Sequence, residues 1–220
     1  MSVVPVTVLV VAKAPVPGLA KTRLAATVGD GVAAEIAAAA LLDTLDAVAA
    51  ASVTARVVAL TGDLSAAAKA REIADRLRAF TIIDQRGDDF ADRLANAHLD
   101  AAGSSPVLQI GMDTPQVTAD LLTRCGRRLG EAPAVLGPAR DGGWWALGLR
   151  TPAAAGCLRT VAMSQPDTAT MTLAALRRDG LDVRILDELA DVDVVGDIAA
   201  VRDACASISR FAEVTRAAGL

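Results

Sequence analysis

Lys13, Lys21 and Arg23 fall in the segment K-A-P-V-P-G-L-A-K-T-R-L, residues 13–24, which follows directly on the apolar run Val6–Ala12. A buried strand thus runs into a loop with three cations. In an open parallel sheet, ligands sit where loops leave the carboxyl ends of strands. Three cations there suit an anionic ligand, and a di- or triphosphate is the compact choice. Gly18 would let the backbone come close to it, while Pro15 and Pro17 stiffen the loop. The segment is not a Walker loop, which needs glycine just before the lysine and another five positions further back. Those places hold Ala20 and Pro15.

A second candidate is Asp113 in Gly111-Met112-Asp113-Thr114-Pro115, directly after the apolar Pro106–Ile110. It puts a carboxylate at a strand's carboxyl end, on the same sheet edge as the cationic loop. Mg²⁺ or Mn²⁺ takes hard oxygen ligands and often bridges one or two carboxylates to substrate phosphates. The competing role for Asp113 is to cap the helix that follows. Asp191 and Asp193 stand two apart, so an extended chain points both to one face. A cation would relieve their repulsion, and a solvated acidic loop is the alternative. Asp197 lies where it would open the last helix. In Gly137-Pro138-Ala139-Arg140-Asp141-Gly142-Gly143-Trp144-Trp145, the paired glycines permit close approach to a ligand and Asp141 can accept from ligand hydroxyls. Of Trp144 and Trp145, at most one can face a site, since they alternate across a strand. A plain hairpin turn is the alternative. Arg86, Asp89 and Arg93 bracket a loop and helix start near the same edge. His98, the only histidine, is expected to be structural, as are the cysteines and Met112.

The elements that must position these residues alternate along the whole chain, the pattern of an α/β fold with a mostly parallel sheet. Strands are expected at Val6–Ala12, Val53–Leu60, Phe80–Asp84, Pro106–Ile110, Ala134–Leu136, Trp144–Leu149 and Val183–Leu186. Helices are expected over Asp30–Ala51, Ser65–Arg78 with Ser65 as N-cap, Phe90–Ala102, Thr118–Leu129, Asp167–Arg178 and Ile198–Ala218. Residues 150–166 read as irregular, with a composition suited to an acceptor-side lid. No linker or repeat interrupts the 220 residues, so one domain over 1–220 is expected.

Composition narrows the function. The chain is 53% hydrophobic with a net charge of -4, which argues against a nucleic-acid binder, since that would need a basic face. Three widely spaced cysteines form neither a metal motif nor a disulfide framework, and a cytoplasmic location is expected. No apolar run is long enough to span a bilayer. Alanine-rich helical faces serve cores and interfaces alike, so a homo-oligomer is compatible with the sequence.

Taken together, the motifs resemble the nucleotide-diphospho-sugar transferase superfamily. They are closest to a bacterial family carrying a glycosyltransferase label, one branch of which is linked to arsenosugar biosynthesis. That family's pattern runs K-x-P-x-P-G-x-x-K-T-R-L, G-x-D-x-P, G-P-x-x-D-G-G-[YW] and D-V-D. This chain carries Lys13, Pro15, Pro17, Gly18, Lys21, Thr22, Arg23 and Leu24 for the first, and Gly111, Asp113 and Pro115 for the second. Gly137, Pro138, Asp141, Gly142, Gly143 and Trp144 fit the third, and Asp191 to Asp193 the fourth. It departs at Val194-Val195-Gly196, where Thr-Pro-Glu is usual. A more distant similarity runs to phospholactate and phosphoenolpyruvate guanylyltransferases.

The resemblance implies a three-layer α/β/α GT-A (Rossmann-like) fold. It implies a Mg²⁺ or Mn²⁺ ion on Asp113, Asp191 and Asp193. Lys13, Pro17, Gly18, Lys21, Thr22 and Arg23 would bind the nucleotide phosphates, with Lys21, Arg23 and Asp113 catalytic. Asp141, Gly142, Gly143 and Trp144 would bind the sugar or a small-molecule acceptor. Glycosyl transfer from a nucleotide sugar is the expected activity. Nucleotidyl transfer from a nucleoside triphosphate, with release of pyrophosphate, is the alternative. A catalytically silent nucleotide-binding regulator is a third possibility, which would bind nucleotide without a divalent ion.

Overall fold

The computed structural model describes residues 2–103 and 105–220. Seven strands are present: β1 (Val4–Lys13), β2 (Val53–Thr61), β3 (Thr81–Asp84), β4 (Val107–Ile110), β5 (Ala134–Pro138), β6 (Trp144–Leu149) and β7 (Val183–Ile185). They form one sheet in the order β3-β2-β1-β4-β6-β5-β7. The pairs β1–β2, β1–β4, β2–β3 and β5–β7 are parallel, and β6 alone runs antiparallel to its neighbours β4 and β5. From β1 the chain builds outward through β2 and β3, then returns to place β4 on the other side of β1. The carboxyl ends of β1 and β4 therefore flank the point where strand order reverses, the place where open α/β sheets bind ligands.

Eight α-helices among the described residues follow from the same alternation: α1 (Thr22–Val28), α2 (Asp30–Ala50), α3 (Ala70–Leu77), α4 (Phe90–Asp100), α5 (Ala119–Glu131), α6 (Thr168–Arg178), α7 (Val195–Ala204) and α8 (Arg210–Ala217). Alternation along β1 sends Val4, Val6, Val8 and Val10 to one face, where they pack with Leu41 and Leu45 of α2, Ile73 of α3, and Leu122 and Leu129 of α5. Leu9 faces the other way, against Ala97 of α4. That second face continues under β5 and β6 with Leu136, Leu147 and Leu176 of α6. The result is the expected α/β/α layering. The central α2 is buried nearly all round because its alanines let neighbours approach from several sides.

Local differences from the sequence expectations have plain causes. The cationic loop is shorter than expected, because residues from Thr22 on wind into α1. Ser65 does not cap a long helix. Asp63 accepts from its backbone N–H, closing a 3₁₀ turn at Leu64–Ala66, and α3 starts only at Ala70. The closing helix is two helices, broken between Ala204 and Arg210, and Ser209 caps the second by accepting from Ala212 N–H. Residues 150–166 are not a free lid. Pro152–Thr160 is a 3₁₀ stretch that buries Ala155, Cys157 and Leu158. Its Arg159 donates to Asp92 and Asn96 of α4 at 2.8 and 2.7 Å. No helix among the described residues is long and apolar enough to cross a membrane.

One ionic node locks the carboxyl-terminal helix to the rest. Arg210 donates to Asp43 at 3.2 Å and Asp46 at 2.7 Å on α2, and to Glu72 on α3 at 2.9 Å. Asp43 also accepts the backbone N–H groups of Arg210 and Phe211, at 3.1 and 2.9 Å. Replacing Arg210 by Ala removes the cation beside buried Asp43, while Asp46 keeps Arg76 and Asp43 keeps its two backbone donors, so Arg210→Ala is expected to lower stability by about 2 kcal/mol. Urea denaturation followed by circular dichroism measures this, and an unchanged midpoint would show that α8 is held by packing and the backbone bonds to Asp43 without help from the guanidinium.

Candidate active site

At the β1/β4 edge the sheet opens into a cavity of about 700 Å³, within the range of small-molecule and cofactor sites. The β1 loop contributes Lys13, Leu19, Ala20 and Lys21. The β4 loop contributes Gly111 to Thr114, and further walls come from Asp141, Gly143, Trp144 and Asp191.

The central contact joins the first two loops. Lys21 Nζ donates to Asp113 Oδ2 at 2.7 Å. Lys21 stands just before α1 with φ 48°, ψ 49°, in the left-handed region that non-glycine residues rarely occupy. Such strain persists only where the surroundings over-determine it. Burial works against the Lys21 charge, but Asp113, together with Asp193 and Asp191, more than offsets it and holds the ammonium's pKa above its ordinary value. Gly111 explains its place in the G-x-D spacing, because a Cβ there would lie 2.8 Å from Asp113 Oδ1. Lys13 Nζ donates to Leu19 O at 2.7 Å, bracing the loop from within the cavity.

Asp191 reaches the site because its loop is stitched to its neighbours. Val192 N–H donates to Asp113 O at 3.1 Å, Leu189 pairs with Ala139, and the Gln116 amide donates to Ala190 O. Trp145 Nε1 adds a bond to Asp187 O at 2.9 Å. Gly137 makes that bond possible, since a Cβ there would meet the indole nitrogen at 2.5 Å. Burial pushes the Asp191 carboxyl up to about 6, with the charges of Asp141 and Asp113 adding to the rise and Lys21 opposing it.

Several candidate residues stand elsewhere than the motifs imply. Pro17, Gly18, Thr22 and Arg23 do not line the cavity. Pro17 and Gly18 are exposed, and Gly18, at φ 77°, turns the chain toward Asp30. Arg23 instead donates to Asp193 Oδ2 at 2.6 Å, which draws that aspartate outside the cavity. Asp197 accepts from the backbone of Asp193 and Val194 at 2.9 and 2.8 Å, opening α7 as expected. Gly142, at φ 90°, meets the protein's own chain rather than a ligand, because a Cβ there would lie 1.8 Å from Pro166 O. Gly143 donates to Asp141 Oδ1 at 2.7 Å, closing the turn that orients this carboxylate. Trp145 is core, whereas Trp144 packs on the opposite face beside the cavity.

Arg86 is held by Asp100 through two bonds of 2.7 Å and Asp89 caps α4, so both are structural. Arg93 does line the cavity, as do Gln85, Gln109, Phe90 and Met163, which carry no motif signal. Burial raises all three cysteine thiols to about 11, which makes them poor nucleophiles at neutral pH.

The residues present fit a hard divalent ion in one particular way. No group of three potential ligands is gathered for a metal among the described residues. Asp113 and Asp191 nevertheless repel each other across the cavity, with Asp141 adding to the negative charge. Two carboxylates completed by phosphate oxygens and water suit Mg²⁺, which seldom uses all-protein cages.

Comparison with known proteins follows this geometry. The model of a bacterial family described as "Uncharacterized protein conserved in bacteria (DUF2064)" matches residues 44–165, more than half of the chain. The chain belongs to the DUF2064 family. The matched span holds Asp113 and Asp141 but neither the β1 loop nor Asp191. No curated protein matches the chain. Among solved structures, a provisionally named nucleotide-diphospho-sugar transferase from Desulfovibrio desulfuricans G20 is 25% identical, with 99% of this chain and 95% of that one covered and a TM-score of 0.84. The 4-diphosphocytidyl-2C-methyl-D-erythritol synthase of Anaerococcus prevotii DSM 20548 is 10% identical over 89% and 93% of the two chains, TM-score 0.59. A manganese complex of a Mycobacterium tuberculosis H37Rv protein, Rv0371C, is 19% identical over 90% and 97%, TM-score 0.55. The resemblance to nucleotide-diphospho-sugar transferases and the GT-A-like fold are thereby borne out, and this DUF2064 member has the build of a nucleotide-utilising transferase.

The weakened acidity of Asp191 makes a pH prediction. Its folded pKa of about 6 lies above the ordinary 3.8, so ionising it opposes folding. In EDTA, wild-type stability should fall as pH rises from about 4 to about 6 and then level off. Asp191→Asn should flatten that slope and raise the urea midpoint at neutral pH. Parallel slopes in the two proteins would remove Asp191 from the repulsive cluster. A second expectation concerns Gly142→Ala, which should be among the more damaging alanine substitutions here, several kcal/mol by thermal denaturation, because backbone must move.

Proposed function

We propose that this chain is a Mg²⁺- or Mn²⁺-dependent transferase drawing on a nucleotide-activated donor. The supporting observation is the pairing of Lys21 with Asp113 at the ends of adjacent parallel strands, with Lys13 and Asp191 beside it. Lys13 and Lys21 would hold the donor phosphates and offset charge on the departing phosphate. Asp113 and Asp191 would hold the ion, which when bound stabilises the leaving oxygens as a Lewis acid. With Asp113 holding the ion, Lys21 would be free to reach the phosphates. Asp193 restrains Arg23, and Asp141, oriented by Gly143 and flanked by Trp144, would receive the acceptor. The protein is proposed to act as one domain, in the cytoplasm.

Glycosyl transfer is the first reading, supported by the likeness to the D. desulfuricans protein. The acceptor hydroxyl oxygen bonds to the anomeric carbon and gives up its proton, as the bond from that carbon to the donor phosphate breaks and the nucleoside diphosphate leaves. Nucleotidyl transfer is the second, supported by Arg93, a cavity-lining cation apart from Lys13 and Lys21 that suits an anionic acceptor. There an acceptor oxygen bonds to the α-phosphorus as the α–β bridge breaks and pyrophosphate leaves.

A thermal-shift panel of nucleotide sugars and nucleoside triphosphates, each with Mg²⁺ and with EDTA, separates the readings. A ligand at a hundredfold its dissociation constant adds about 2.7 kcal/mol of stability, which is readily seen. Metal-dependent stabilisation is expected from one class and should vanish in Asp113→Asn, together with turnover. Stabilisation that ignores EDTA would point instead to a silent nucleotide-binding protein.

A further inference from the structure

One wall of the cavity carries two buried hydrogen-bond donors without a partner among the described residues, and a half-buried arginine beside them. Gln109 on β4 is 1% exposed. Its carboxamide oxygen lies 3.1 Å from His98 Nδ1, and its Nε2 has no partner. Trp144 Nε1 is buried and also lacks one. Arg93, on α4, lies over the Phe90 ring, 5.8 Å from its centroid. It takes no part in the ion pairs of its own helix, which join Asp92 to Arg159 and Asp100 to Arg86. All three residues line the cavity.

The pairing with His98 fixes what Gln109 can offer. Burial holds the imidazole down at about 4, so the ring is neutral at physiological pH. Its Nδ1–H donates to the Gln109 oxygen, and the amide NH₂ is left for a ligand. Around these donors the wall is apolar, with Leu94, Trp144 and Met163 in one cluster. Buried donors are nearly always satisfied, and each one left unmade costs stability. Two beside one cavity call for a group rich in acceptor atoms, and the guanidinium on the same wall calls for that group to be negative. Carboxylate and phosphate oxygens meet both demands, and arginine grips either one in a bidentate fork.

We propose that Arg93, Gln109 and Trp144 bind the anionic group, a carboxylate or a phosphate, of a small acceptor. This rests on the transferase reading of the cavity. Donor phosphates have Lys13 and Lys21 on the β1 loop. A neutral nucleobase edge would leave Arg93 without a counter-charge on an apolar wall. The three residues thus select acceptors by charge, while Asp141 on the neighbouring loop meets hydroxyls.

The test uses the full chain and saturation-transfer NMR with glycolate, glycerate, methyl phosphate and phosphoglycolate, with glycerol as the neutral control. At least one anion should bind the wild type and glycerol should not. Arg93→Gln should weaken that binding tenfold or more, and Arg93→Lys should recover part of it. Binding of carboxylates alone names a carboxylate acceptor, and binding of methyl phosphate names a phosphate. Nucleotide binding with Mg²⁺ should be the same in Arg93→Gln as in the wild type. No anion bound by the wild type, or equal binding in Arg93→Gln, overturns the proposal. So does an Arg93→Gln variant that weakens nucleotide instead, since the wall would then belong to the donor. Asp113→Asn tells the two ideas apart. If it leaves nucleotide binding intact while Arg93→Gln still loses the anion, the donor reading fails and the anion subsite stands.

Discussion

The ion pair between Lys21 and Asp113, 2.7 Å long, exists only because β1 and β4 are adjacent and parallel. Parallel neighbours end on the same edge, so the loops that follow them meet without either chain turning back. Any other strand order would separate the ammonium from the carboxylate. The pair also organises what surrounds it. Asp113 O receives Val192 N–H, which draws the Asp191 loop into the cavity. Lys21 accepts a left-handed backbone to point inward, and that conformation starts α1. One contact therefore links the sheet order to the placement of the charged groups around Asp113.

Much of this was legible in the sequence, for reasons that particular residues make clear. Apolar runs ending directly before Lys13 and Gly111 mark the carboxyl ends of buried strands, and the α/β alternation makes those ends coincide. The strand at Trp144–Leu149 has the expected bounds, and its alternation sorts Trp145 to the core and Trp144 to the cavity side. What was not legible depends on contacts remote in sequence. Gly142 looks like a ligand-facing glycine, yet the chain it accommodates is Pro166, which spacing cannot reveal. The pairing of Arg23 with Asp193 spans the whole fold, so two residues that look like site members restrain each other instead. Short helices such as α1 leave too few turns to show a period. The break at Cys205–Ser209 carries no glycine or proline to mark it. Arg93 is marked by its place at a helix start near this edge, whereas Gln109 and Gln85 belong to no motif, and only the backbone brings them to the cavity.

The cavity has two chemically distinct sides. On one, Lys13 and Lys21 face Asp113, Asp141 and Asp191, a mixed set whose repulsion and strain ion and phosphate binding would relieve. On the other, unpartnered donors sit in apolar surroundings under a neutral histidine. The first side is costly because like charges crowd it, the second because donors lack acceptors. These are different costs, and different ligand groups remove them.

Stability and function therefore pull against each other at one edge of the molecule. The fold can carry that burden because the opposite parts are well compensated. Arg210 meets three carboxylates, and the β1 valines are packed from α2 to α5. A sequence optimised only to fold would replace Asp191 with asparagine and Trp144 with phenylalanine, since each change removes repulsion or an unmade bond. The chain retains both, and they line the same cavity. Local rules broken together at one place, with the remainder obeying them, are what a binding site looks like in energetic terms. That coincidence singles out the β1/β4 edge on energetic grounds, independently of any motif.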